Sequence, residues 1–319
     1  MINKLIYKHH PTNYWLLAIL IFISNFIFFF HNNNDGTIII KLFNGLIYKL
    51  NILPNINLII KILIILLSSF LIIHISKTYQ ELISITLPSL IFIIFLTTIP
   101  ITQLNTIFLL FVSFIIFLLN TFFKIYEEKF IYKFLFNFGF ILGFLSIINF
   151  FFLLLMPILY LWLIHFRQFN IKEYLLPVVS FVVPYFIVDA MYFIITNNEN
   201  YTIFNANQFF LTYDKSFRPY FSIFILMLLL IFSFYKIMYA TNTLKKIKHK
   251  KYFYWMFFST LYLWIVFFIS FNQIIFITII IFMSLITSII VISFNKPLYS
   301  KLFIIFLFLI NIISILTNI

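Results

Sequence analysis

Residues 134–198 read FLFNFGFILGFLSIINFFFLLLMPILYLWLIHFRQFNIKEYLLPVVSFVVPYFIVDAMYFIITNN. The stretch holds two short apolar passes separated only by Asn149, then the charged break Arg167 to Glu173, then a longer pass that carries Asp189. Gly139 and Gly143 stand four apart, so they share one helix face and let a second backbone approach. The lengths are those of membrane-spanning helices, about 17–25 residues for a core about 30 Å thick. An acid at such a depth is costly and marks a candidate functional position. This block decides the fold class: a helical bundle whose solvent is lipid.

Working outward, the same pattern fills the chain. Of its 319 residues 64% are hydrophobic and 9% are charged, with a mean hydropathy of +1.13. Apolar runs predict eleven spans, near 14–30, 58–75, 82–99, 104–123, 131–147, 149–165, 174–195, 219–239, 252–271, 273–292 and 301–317. Asn149 and the Asn272-Gln273 pair predict two tight hairpin turns. The expected fold is an all-α integral membrane protein, one polytopic domain over 1–319. Lys4 and Lys8 ahead of the first run, with HNNNDG and no small-residue cleavage site behind it, predict an uncleaved signal-anchor.

Charge sets the orientation. With the N-terminus inside, sixteen Lys and Arg fall in cytoplasmic segments and four (Lys41, Lys49, Lys215, Arg218) in outer ones. That is a positive-inside distribution, and it puts the C-terminus outside. The net charge of +13 is therefore a topology signal, with the run 244–251 (LKKIKHKK) facing anionic lipid, and not a nucleic-acid surface. Two outer loops, 31–57 and 196–218, are longer than turns. The first, with its apolar residues and Lys41 and Lys49, predicts a short helix lying in the interface.

The chain has no Cys, which excludes disulfides, thiolate chemistry and iron–sulfur ligation. Its six His are dispersed, and no metal site is expected from them. No phosphate loop or nucleophile elbow occurs, so neither haem, nucleotide nor iron–sulfur cofactor is indicated; a divalent cation is left open. Asp189 shares a helix face with Tyr185 and Tyr192. Those phenols, or Lys61 near the outer end of its own helix, could satisfy the carboxylate; a substrate, proton or ion site is the other reading. Lys61 by itself reads as a side chain snorkelling outward. Asp35, in His31-Asn32-Asn33-Asn34-Asp35-Gly36, is either a polar turn or a carboxylate at the membrane surface.

Two resemblances follow from these stretches. IYKHHPTNYWLL at the start, the 136–186 block and FNKPLYSK at 294–301 look like an uncharacterised bacterial family of polytopic inner-membrane proteins. The order of parts also resembles, more distantly, membrane glycosyltransferases of the GT-C type. There a first helix precedes an acidic outer loop with interface helices, short spans carry Gly-x-x-x-Gly pairs, and a further functional loop follows helix seven. The resemblance implies a seven-helix module over 14–195 with four additional helices over 219–317. It implies a sugar taken from a polyprenyl-phosphate carrier at the outer face of a bacterial inner membrane. Asp35 would be the base or metal anchor, Lys215 or Arg218 would meet the carrier phosphate, and His31, Lys61, Tyr185 and Tyr192 complete the candidate substrate contacts. One acid stands in the first loop where that family often has a pair, and no large C-terminal outer domain follows. Two alternatives stand beside it: a transporter or flippase built on Asp189, and a non-catalytic membrane subunit of an envelope or secretion complex.

Overall fold

The structure is a computed structural model that describes residues 37–42, 46–51, 54–78, 86–99, 104–125, 131–167, 170–196, 220–240, 247–292, 298–299, 301–307 and 309. A two-stranded hairpin comes first, β1 (Thr37–Leu42) and β2 (Leu46–Asn51). Helices follow: α1 (Pro54–Thr78), α2 (Leu87–Leu96), α3 (Thr106–Ile125), α4 (Tyr132–Ile148), a 3-10 segment Phe150–Leu155, α5 (Met156–Phe166), α6 (Ile171–Thr196), α7 (Tyr220–Ala240), α8 (Ile247–Ser270) and α9 (Gln273–Ile292). A further helical stretch covers 301–307.

The centre of the molecule is α9. Its sequence, QIIFITIIIFMSLITSIIVI, is apolar all round, which in a helix means burial all round. It is wrapped by α8, α2, α3 and α7, and every side chain described along it is buried. Its hydroxyls turn inward to its own backbone: Thr278 donates to the Ile274 carbonyl at 2.7 Å and Thr287 to that of Met283 at 2.7 Å. Such bonds satisfy polar groups that lie out of reach of water. Around α9, α1 packs on α2 and α3, while α5 packs on α8.

Among the described residues four helices are long and apolar enough to cross a bilayer: Ile56–Lys77, Ile171–Met191, Lys250–Ser270 and Gln273–Val291. Shorter apolar helices stand among them. Large apolar side chains also cover the outside, Leu63, Phe117, Ile164, Phe224 and Ile265 among them. Aqueous solvent does not tolerate that surface at this scale, and lipid requires it. The chain is a helical membrane protein.

Both expected hairpin breaks are present. Asn149 ends α4, and its side chain accepts the Phe151 N–H at 3.1 Å, capping the turn back into the 3-10 segment. Between α8 and α9, Phe271 takes a positive φ of 47° and Asn272 accepts the Ile274 N–H at 2.9 Å. The expected interface helix in 31–57 is not what forms. An antiparallel hairpin occupies that stretch, with Thr37 opposite Asn51 and Leu42 opposite Leu46. The register also sets Ile38 opposite Leu50 and Ile40 opposite Tyr48.

The Gly139–Gly143 expectation holds. A Cβ on Gly139 would run into the Pro177 carbonyl and the Ser180 hydroxyl, and one on Gly143 into the Phe181 carbonyl. The rising register of these contacts, with Ser146 bonded to Tyr185 at 2.7 Å, makes α4 and α6 parallel.

Candidate functional site

Among the described residues several buried polar side chains gather where α1, α3 and α9 begin. Asn57, in the first turn of α1, accepts a hydrogen bond from the Thr106 hydroxyl at 2.6 Å. The Asn105 N–H, at the head of α3, donates to the Gln273 side chain at 3.2 Å. Beside them the hydroxyls of Thr98, just past α2, and Ser222, at the start of α7, meet at 2.6 Å. Thr98, Thr106, Ser222, Asn272 and Gln273 are all buried. Local sequence explains the placement. Pro54 opens α1, where its missing N–H costs nothing, and Asn272 is a preferred N-cap for α9.

Lys61 lies one turn below Asn57 on the same face of α1. Its side chain is buried, 8% exposed, so the outward snorkelling expected from sequence does not occur. The reason is the stripe it belongs to. Lys61, Ile65, Ser68 and Ile72 are all buried and recur at helical spacing, on the side of α1 that meets α2 and α3. Ser68 bonds Ser113 of α3 at 3.2 Å on this side.

The arrangement favours an anion. Helix N-termini present unsatisfied N–H groups and a partial positive charge, and three of them meet here. A buried ammonium adds a full charge at low dielectric, where it acts strongly. β1 also approaches α3, so the hairpin is held near the helix that heads this cluster.

Of the expected residues, Lys61, Tyr185 and Asp189 are described, and Lys61 stands apart from the other two. Asp189 is on α6, which packs on α4, whereas Lys61 is on α1 against α2 and α3. The Asp189 side chain is exposed. Tyr185 is half-buried and turns to Ser146, not to Asp189. The side chain of Tyr192, and the whole of His31, Asp35, Lys215 and Arg218, lie outside the described residues. Among the described residues no three His, Asp or Glu side chains converge as metal ligands would. A cavity of about 20 Å³ between α3, α4, α5 and α9 is lined by apolar side chains and by Thr278, whose hydroxyl is bonded to the Ile274 carbonyl, so it offers a polar ligand little to bind.

The opposite end of the bundle is basic. Phe122 near the end of α3 meets Phe134 and Phe138 of α4 and Trp255 of α8, and Phe166 at the end of α5 meets Tyr252 of α8. Lys133, Arg167, Lys250 and Lys251 flank these rings in sequence. Tyr132 is bonded by Asn170 at 3.5 Å, which brings the start of α6 and Lys172 to the same end. Lys77 closes α1 there too, because α1 and α3 run parallel from Asn57–Thr106 to Ser68–Ser113.

The signal for the buried cluster was present in the sequence. Asn57, Lys61 and Ser68, at spacings of four and seven, mark one face of an otherwise apolar helix, and in lipid such a face turns toward protein. Compared with family models, curated proteins and solved structures, the chain shows no match.

Proposed function

We propose that this chain is a GT-C-like transferase that handles a polyprenyl-phosphate-linked sugar at the outer face of a bacterial inner membrane. The observation that carries the reading is Lys61, buried beneath the joined N-termini of α1 and α3. A lipid-borne phosphate arriving from the bilayer would find there a fixed cation and helix N-termini, the usual means of holding an anion. The basic end opposite supports the orientation this reading needs: with Lys77, Lys133, Arg167 and Lys172 inside, the Lys61 end would face out. Asp35 precedes β1 by two residues in the sequence. In this reading it takes the proton of the acceptor hydroxyl, or anchors a divalent cation, as the sugar leaves the carrier. Lys61, with Lys215 or Arg218, stabilises the departing phosphate.

The test is lipid mass spectrometry of a deletion strain complemented with wild type, Lys61→Met, Lys61→Arg or Asp35→Asn. The expected outcome is a polyprenyl-phosphate sugar that accumulates in the deletion and is cleared by wild type. Lys61→Met and Asp35→Asn leave it uncleared. A lipid profile untouched by deletion sinks the transferase. A second reading, a non-catalytic membrane subunit, draws on the bare outer part of α6. The carrier or flippase alternative also turns on Asp189, and Asp189→Asn in the same strain reads both: a defect there with silent Asp35→Asn moves the function to α6.

A further inference from the structure

The structure assigns to α6 a docking surface for a transmembrane helix of another protein, one that carries a Lys or Arg opposite Asp189. One side of α6, Pro177, Ser180, Phe181 and Pro184, is buried, and α4 is the helix it packs on. Another side is bare. Leu175, Val179, Val182, Phe186, Asp189 and Phe193 are all exposed, Phe186 to 71%. Their spacing of four and three, repeated, is the seam of a left-handed helix pair, in which such residues enter holes on a partner. Five positions of the seam are apolar and the sixth is a carboxylate.

Depth makes that carboxylate informative. Lys172 and Glu173 mark the basic end of α6, and Leu175 begins its apolar surface. At 1.5 Å per residue Asp189 lies about 21 Å beyond Leu175, short of the far edge of a core about 30 Å thick. A bare carboxylate there faces hydrocarbon, which is costly. A cation on an opposing helix removes the cost, and a single polar seam position is how paired helices fix register and partner. A second copy of this chain is the weaker occupant. At this end of the bundle the cation described within a candidate span is Lys61, which is buried on α1.

The chain has no Cys, so Ile194→Cys, at an exposed site on α6, takes a single fluorescent donor. The full chain is reconstituted in phosphatidylcholine vesicles with acceptor-labelled polyleucine transmembrane peptides. One peptide carries a single Lys placed to meet Asp189 depth, one carries Asp there, and one is Leu throughout. Wild type is expected to hold the Lys peptide about three- to tenfold more tightly than the Leu peptide, the range of interhelical polar contacts in lipid. Asp189→Asn abolishes the preference, Asp189→Glu keeps it, and Asp189→Lys transfers it to the Asp peptide. Equal binding of the Lys and Leu peptides by wild type overturns the assignment, as does a preference that survives Asp189→Asn. Donor quenching by a second labelled copy, in place of the peptide, overturns it in favour of self-association.

Discussion

Gly143 leaves no room for a side chain, because the atom any substitution would meet is the backbone oxygen of Phe181 and not the end of a rotatable group. Gly143→Leu is therefore expected to part α4 from α6. Overpacking of this kind costs about 1–3 kcal/mol, read as a lower melting temperature in detergent. Ser180 offers the contrast: Ser180→Ala removes a hydroxyl bonded at 3.0 Å to the Pro177 carbonyl of its own helix, and should leave the melt nearly unchanged. The glycine pair was legible in the sequence because spacing alone puts both residues on one face. The burial of Lys61 was not legible from Lys61 alone, which reads as a snorkelling side chain; only Asn57 and Ser68 on the same face mark it as the side that meets protein. The position of Lys61 separates structure from function in turn. Lys61→Met keeps the length of the side chain and removes the charge. Near-wild-type melting with lost carrier turnover would place the charge in the chemistry; an equal loss of both would make it structural.

At the scale of elements, α9 and the hairpin teach opposite lessons. The twenty residues of α9 were readable as a span from composition, but not as the axis of the fold, since an all-apolar helix reads the same in lipid and in a protein core. Tertiary packing decides it. Ile280 is buried at its middle while Ile265 on α8 is exposed. Ile280→Asp buries a charge with no partner, which costs several kcal/mol, and should abolish the monodisperse peak in size-exclusion chromatography. Ile265→Ala should keep that peak. For the hairpin, the sequence carried a signal that amphipathicity concealed. Asn44-Gly45 sits between the two strands, and Asn-Gly between apolar runs is a strong hairpin mark. Ile, Tyr and Thr, enriched in the strands, favour the extended chain as well.

For the whole molecule, the sorting of charge was the most legible feature and the bundle gives it a spatial form. The described helices run back and forth, so the alternation of strongly and weakly basic segments in sequence becomes two ends of one body. Lys133 and Lys172 are exposed at one end. Tyr220 opens α7 at the other, beside Ser222 and its bond to Thr98. Because the chain has no Cys, a single thiol at each position reports its side of the membrane without background. In intact cells a membrane-impermeant maleimide should label Tyr220→Cys and leave Lys133→Cys and Lys172→Cys unlabelled until the cells are opened. Cytoplasmic basic residues resist translocation, so this result fixes the Lys61 end outside, where a lipid-linked donor and an outer-face acceptor would meet. Labelling of Lys133→Cys from outside would turn the molecule over. It would put the Lys61 cluster in the cytoplasm and remove the topological support for the transferase. The exposed seam of α6 would still lie in the bilayer, with Asp189 in the opposite leaflet and its partner's cation displaced to match.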